Sequence, residues 1–301
     1  MLSNEKSEFQ IFLESKRNKK VYFEPLAGNN GDTLIQIGAK HVLQKANLQL
    51  TEEVNKADLI VINGGGAMND IWMGGLKKLE YYRREYPNIP VIVGPSSYRF
   101  ENFDFNTICK ISTAPLTLFA RERFSEDLLR KMNMPSYVNV KVSPDLALEL
   151  HDSDFIKDLI TKCRSEYILI AMRKYKEGAS NILIRTGRWL PGKIRRPLSK
   201  IRDWLAAMKS RDVISDIIKQ ENYTPNMPRV YRDVSASVSF DEFLNTICCA
   251  ASIVTDRLHI GILGYLLNKR VILRPGMYHK IRGVYELSMS GPDSRVTLWS
   301  E

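Results

Sequence analysis

Asp256-Arg257-Leu258-His259 follows the apolar run Ser252-Ile253-Val254-Thr255 and leads at once into a second apolar run that holds Gly261 and Gly264. A guanidinium beside an imidazole makes an anion site with a proton donor or acceptor at hand. On an extended strand exit, Arg257 and His259, two residues apart, project to the same side. A lone histidine is more often structural than chemical. This one is among only four in the chain, follows an arginine and leaves an apolar run, which favours chemistry. After the run Val271–Leu273, Arg274, His279 and Lys280 add positive charge at the same edge.

Other exits carry further candidates. Arg121 ends the run Leu116–Ala120, and Arg173 follows Tyr167–Ala171. Either guanidinium can grip a carboxylate or phosphate through two parallel hydrogen bonds. The plainer use of Arg121 is a salt bridge to Glu122 or Asp145. Gly28-Asn29-Asn30-Gly31-Asp32 stands between the run Val21–Phe23 and a helical pattern over Thr33–Ala46. Its glycines permit close backbone approach, Asp32 is placed to cap the helix, and the first-turn amides can receive an anion or a sugar hydroxyl. Without a ligand the same residues are a capped turn. Asn63-Gly64-Gly65-Gly66, after Leu59–Ile62, suits a backbone lying flush against a ligand or an opposing domain. It is neither a dinucleotide fingerprint nor a phosphate loop, since the required spacing and the Gly-Lys-Ser/Thr are missing. Gly94-Pro95-Ser96-Ser97 offers two hydroxyls at the same edge, or is simply a polar turn after Val91–Val93. No metal site is expected: there is no His-x-x-x-His, and Asp152-Ser153-Asp154 reads as a polar linker.

These exits need a scaffold. Short apolar, β-branched runs alternate with helical patterns, adding Val138–Val142 and a short run around Val230–Tyr231 to those above. Runs apolar at consecutive positions are expected where helices cover both faces of a parallel sheet. Helix-punctuating residues near Leu150–Asp154 mark a seam, giving domains at 1–150 and 151–301, the latter with an insertion at about 177–226. The predicted fold class is α/β, with two doubly wound Rossmann-like domains facing across a cleft. Ligands of such sheets bind beyond the carboxyl ends of the strands.

The net charge of +10 is concentrated. Between Arg173 and Asp212 stand twelve basic residues against three acids, a local excess of +9, so a diffuse nucleic-acid surface is not expected. Leu198–Lys209 within that stretch is amphipathic, with Trp204 on its apolar side, as suits a helix lying on anionic lipid or packing on its own domain. The four cysteines lack paired spacing and read as reduced core residues. Neither a signal peptide nor a membrane-spanning run is evident, so the expected location is cytoplasmic, at the inner face of the cytoplasmic membrane if the basic stretch meets lipid.

Taken in order, Gly-Asn-x-Gly-Asp at Gly28–Asp32, the triple glycine at Gly64–Gly66, Arg121-Glu122-x-x-Ser125, Pro144-Asp145-x-Ala147 and Arg257-Leu258-His259 resemble the polysaccharide pyruvyltransferase family. The resemblance runs from Gly28 to about Tyr285, the basic insertion excepted; Leu146 stands where a proline often follows the aspartate. It implies a fold similar to the B-type glycosyltransferases. It also implies transfer of pyruvate from phosphoenolpyruvate, as a cyclic ketal, to two hydroxyls of a sugar in a surface or exopolysaccharide repeat unit. His259 is then the general acid–base, and Arg257, Arg121, Arg173 and Lys280 hold the donor. By analogy with two-domain clefts, the first domain takes the acceptor through Asn30, Asp32, Gly64, Gly65, Gly66 and Ser96. The acceptor is a sugar, which a lipid-linked oligosaccharide would supply, and no metal or redox cofactor is required. The alternatives are a nucleotide-sugar-dependent glycosyltransferase and a non-catalytic carbohydrate-binding scaffold.

Overall fold

The computed structural model describes residues 5–173, 227–276 and 278–299. The basic helix expected at 198–209, and with it the question of lipid contact, lies outside the described residues.

Buried, β-branched runs build two parallel sheets with helices packed against them. In the first, β1 (Lys20–Glu24) lies between β2 (Gln49–Thr51) and β3 (Leu59–Ile62), and β5 (Val91–Arg99), β6 (Leu116–Ala120) and β7 (Val138–Val142) continue beyond β3. A further strand, β4 (Gly65–Asn69), pairs with the far end of β5. In the second, β8 (Tyr167–Ala171) lies between β9 (Arg229–Tyr231) and β10 (Ala250–Thr255), followed by β11 (Arg270–Leu273) and β12 (Val296–Leu298). All four residues of β3 and all five of β6 are buried, as strands covered on both faces must be. Both sheets share one winding rule: the first strand sits between the second and the third, so the chain reverses direction beside it. These switch points, β1/β3 and β8/β10, open the crevices in which doubly wound sheets bind ligands. The expectation of two Rossmann-like domains is met.

One expectation needs correction. Gly94-Pro95-Ser96-Ser97 does not leave the sheet, because β5 runs on to Arg99. The register slips between Val93 and Ser96, a bulge at which proline's missing N–H costs no ladder bond. The triple glycine leads straight back into the sheet. Gly65 turns the chain at φ 131° and opens β4, whose Gly65 pairs with Ser96.

The halves share a core. One apolar cluster joins Leu34, Ile35 and Val42 of the helix Asn30–Lys45 to Leu258, Ile260 and Leu263 of the helix Leu258–Leu266, through Leu146 and Leu148 between them. Each such side chain contributes about 1.5–3 kcal/mol when fully buried, so this seam fixes the two switch points relative to each other. The cysteines form no disulfide. Among the described residues no helix is long and apolar enough to cross a membrane.

Candidate active site

At the second switch point one hydroxyl ties two strand exits together. Thr255 donates to the Ala171 carbonyl at 2.6 Å and accepts from the Arg257 amide at 2.9 Å. Next to it, Asp256 accepts from the Arg173 amide at 2.8 Å, and burial raises its carboxyl above the ordinary aspartate range. The helix Leu258–Leu266 then starts at once. Gly264 lets it sit low on the sheet: a Cβ there would be 2.6 Å from Ile253 and 2.8 Å from Val271. The first helical turn, and His259 with it, is thereby held over the strand exits.

Because the chain is already helical at Leu258, Arg257 and His259 do not project side by side as an extended exit would require. Arg257 turns toward its own half, where Nε meets Asp233 Oδ2 at 3.0 Å and Nη2 reaches the same oxygen. Asp233 takes the Ser235 hydroxyl on its other oxygen at 2.6 Å. Burial opposes ionisation of Asp233, but Ser235 and Arg257 outweigh it and hold the carboxyl below its usual range. His259 instead reaches across to the first half, placing Nε2 3.4 Å from Asp145 Oδ2. A small polar cavity remains between the two directions, lined among others by Asn29, Gly31, Arg173, Arg257, His259 and Lys280.

From the first half, β6 delivers Arg121 completely buried. Its Nη1 donates to Asp145 Oδ2 at 2.6 Å and its Nε to the Ser97 hydroxyl at 2.9 Å. Nη2 has no hydrogen-bond partner among the described residues although it is buried. A buried donor left in that state costs roughly 1–3 kcal/mol, which an acceptor atom placed there would recover. Asp145 is itself fully buried; its second oxygen accepts from the Ala147 amide at 2.9 Å. Burial alone would raise its pKa, yet Arg121 and His259 hold the carboxyl far below the aspartate range.

Lys280 brings a second cation to the same place from the other half. A point one Cβ length above Gly66 lies 3.6 Å from Arg121 Nη2 and 3.9 Å from Lys280 Nζ. Desolvation lowers the Lys280 pKa, Tyr278 partly opposes this, and Arg121 and Arg173 add to it. Such mutual repulsion is relieved when an anion enters. The segment carrying Lys280 is seated on the first half: His279 stacks on Phe124 at 5.2 Å and stands 3.5 Å from Glu122, and Arg99 lies over the Tyr278 ring at 5.3 Å.

The residues read as an acceptor side have other partners. Asn29, not Asp32, is the N-cap of the helix Asn30–Lys45, and Asp32 accepts the Asn29 amide at 2.8 Å to complete a capping box. The first-turn amides are taken: Asn30 by Ser235, Gly31 by the Asn29 side chain, Asp32 by the Asn29 carbonyl. No anion receptor is left there. Asn30 Nδ2 bonds the carbonyls of Val234 and Val238, joining the halves. Ser96 is buried and its hydroxyl donates to Gly94 at 2.8 Å. A Cβ on Gly64 would overlap the Pro95 carbonyl, and one on Gly65 would come 3.2 Å from Ile35, so both serve close packing. Gly66 alone of the three borders the cations. Asp233 goes unread in the sequence, and Ser97 reads there only as one of two edge hydroxyls, not as the partner of Arg121. Each has its arginine partner 24 positions away in sequence, a pairing that only the fold makes.

A family model described as polysaccharide pyruvyl transferase matches residues 3–274. Across 98% of both chains the structure is similar, at a TM-score of 0.67 and 17% identity, to a functionally uncharacterized protein from Klebsiella pneumoniae subsp. pneumoniae NTUH-K2044. A likeness of TM-score 0.31 and 15% identity, over 82% of this chain and 66% of the other, links it to the UDP-GlcNAc 2-epimerase of Methanocaldococcus jannaschii. Over 80 residues the chain is 32% identical to quinolinate synthase of Helicobacter pylori (strain ATCC 700392 / 26695), a match spanning 27% of this chain and 23% of that protein.

Proposed function

The chain belongs to the polysaccharide pyruvyl transferase family, and from that premise we propose that it transfers pyruvate from phosphoenolpyruvate to two hydroxyls of one sugar, forming a cyclic ketal. The observation that carries this reading is the convergence of Arg121 Nη2 and Lys280 Nζ over Gly66, one cation from each half, with His259 beside them. Phosphoenolpyruvate carries a carboxylate and a phosphate on one small carbon frame, and both need charged donors.

In the proposed reaction His259 delivers a proton to C3 of the enol, making C2 electrophilic. One sugar hydroxyl then bonds to C2, the C2–O bond to phosphate breaks, and phosphate leaves with the bridging oxygen. A second hydroxyl closes the ring on C2. The two hydroxyl protons balance the hydrogen gained at C3 and the one gained by phosphate. Arg121 and Lys280 stabilise the anion before and after it departs. Arg257, already bound to Asp233, and Arg173 extend the positive wall of the cavity.

Incubation with phosphoenolpyruvate and a panel of lipid-linked oligosaccharides tests it. Phosphate release and a mass gain of one pyruvyl ketal are expected, and in D2O the ketal methyl should carry one deuterium. Transfer from a nucleotide sugar, with no phosphate released from phosphoenolpyruvate, would overturn the reading.

A further inference from the structure

We propose that Asp145 is a positioning residue for His259, fixing the ring across the seam with Nε2 turned to the carboxylate and Nδ1 turned to the cavity. Three observations meet here. Asp145 is fully buried and gripped from its own half by Arg121 at 2.6 Å and by the Ala147 amide at 2.9 Å, so it cannot follow the histidine but can hold it. His259 Nε2 lies 3.4 Å from Oδ2, the oxygen shared with Arg121. On the ring's other edge Nδ1 faces Gly31, which lines the cavity together with Asn29 and Arg257.

The chemistry follows from the acceptor-only nature of an ionised carboxylate. Facing Asp145, Nε2 must carry the hydrogen, which leaves Nδ1 as the nitrogen that takes up and gives away a proton on the cavity side. A carboxylate holding an imidazole in one tautomer and one orientation is the same device by which a buried aspartate serves a catalytic histidine elsewhere. Here the two partners come from different halves, 114 positions apart in sequence. The device therefore works only while the halves are docked. Arg121 acquires a second role. Besides facing the donor through Nη2, it keeps Asp145 ionised and in place through Nη1.

The structural part of this proposal stands on its own, and only its kinetic arm rests on the proposed function. Protein labelled with 15N-histidine, with His259→Gln for assignment, is examined at alkaline pH by long-range 1H–15N correlation. His259 should show a protonated Nε2 and a bare Nδ1. A ring protonated at Nδ1 would overturn the proposal, and the ring state is read on the wild-type protein. In Asp145→Asn the tautomer preference should be lost, and kcat with phosphoenolpyruvate should drop about 10²- to 10⁴-fold while its KM stays within about 3-fold. A folded Asp145→Asn protein with the wild-type ring signature, or with kcat within about 3-fold of wild type, would also overturn it. Should wild type not consume phosphoenolpyruvate at all, the functional reading fails and the ring signature still decides the role of Asp145.

Discussion

A Cβ added to Gly31 would stand 2.6 Å from Nδ1 of His259 and 2.9 Å from its Cβ and Cγ, so the glycine and the imidazole occupy adjoining space with nothing to spare. Gly31 has an ordinary helical backbone with no positive φ, so what its position demands is the absence of a side chain. Gly31→Ala should therefore fold, since alanine is the better helix former by about 1 kcal/mol, but it should push the ring off its position. A displacement near 1 Å is worth about 10²-fold in rate. The expected result is a loss of kcat of that order, with phosphoenolpyruvate binding by calorimetry changed less than about 3-fold. Wild-type kcat in Gly31→Ala would show that the ring has freedom the packing denies it.

The two cations over Gly66 should separate in experiment. Arg121 is fully buried and neutralises Asp145, so Arg121→Met leaves a buried carboxylate unpaired and should cost about 3–5 kcal/mol of stability. Lys280 is half-buried, and burial already disfavours its charge. Lys280→Met should leave the melting temperature within a few degrees and weaken phosphoenolpyruvate binding about 10- to 100-fold, the worth of one charge-assisted contact. Thermal unfolding and calorimetry on both variants check this; equal stability losses would refute the division of labour.

Legibility of this architecture from sequence depended on where the information sits. Runs such as Leu59–Ile62 and Leu116–Ala120 announce strands because burial on both faces forces consecutive apolar residues. β2 (Gln-Leu-Thr) and β4 (Gly-Gly-Ala-Met-Asn) announce nothing, since neighbouring strands supply their pairing. The Arg257-Leu258-His259 motif was readable as chemistry, but not the directions its two side chains take, which follow from the helix beginning at Leu258. Asp145 was visible beside a proline and ambiguous. Its contact with His259 appears only when the two halves meet.

Glu149 gives a pH dependence with a definite sign. It is buried in the turn Leu146–Asp152, and burial pushes its carboxyl up to about 7 against an ordinary 4.5, with Ser7 and Lys45 opposing and Asp152 and Asp145 adding. Its Oε1 has no partner among the described residues. An acid whose folded pKa is raised binds more protons folded than unfolded, so it costs nothing below pH 4.5 and destabilises progressively between 4.5 and about 7. The full penalty is of order 3 kcal/mol, at about 1.4 kcal/mol per pH unit. Glu149→Gln should accordingly raise the unfolding free energy by about 1–3 kcal/mol at pH 8, and the gain should vanish toward pH 4.5. Denaturant melts across that range decide it, and a pH-independent gain would point to packing instead of ionisation.

Asn30 provides the test of which contacts belong to the sugar and which to the seam. Its side chain donates to Val234 at 3.1 Å and Val238 at 3.2 Å, carbonyls of the segment that also carries Asp233, while its backbone amide donates to Ser235 at 2.9 Å. Both side-chain bonds thus run to the opposite half. Removing them leaves two carbonyls short of a partner, at about 0.5–1.5 kcal/mol for each bond. Asn30→Ala should lower the melting temperature by roughly 2–12 °C, taking 2–4 °C per kcal/mol for a chain of this class. Because the same segment anchors Arg257 through Asp233, phosphoenolpyruvate affinity should fall about 2- to 5-fold with it, whereas acceptor KM at saturating donor should hold within about 2-fold. The reverse pattern, an intact melting temperature with a rise confined to acceptor KM, would return Asn30 to the sugar and leave the seam to the shared apolar core.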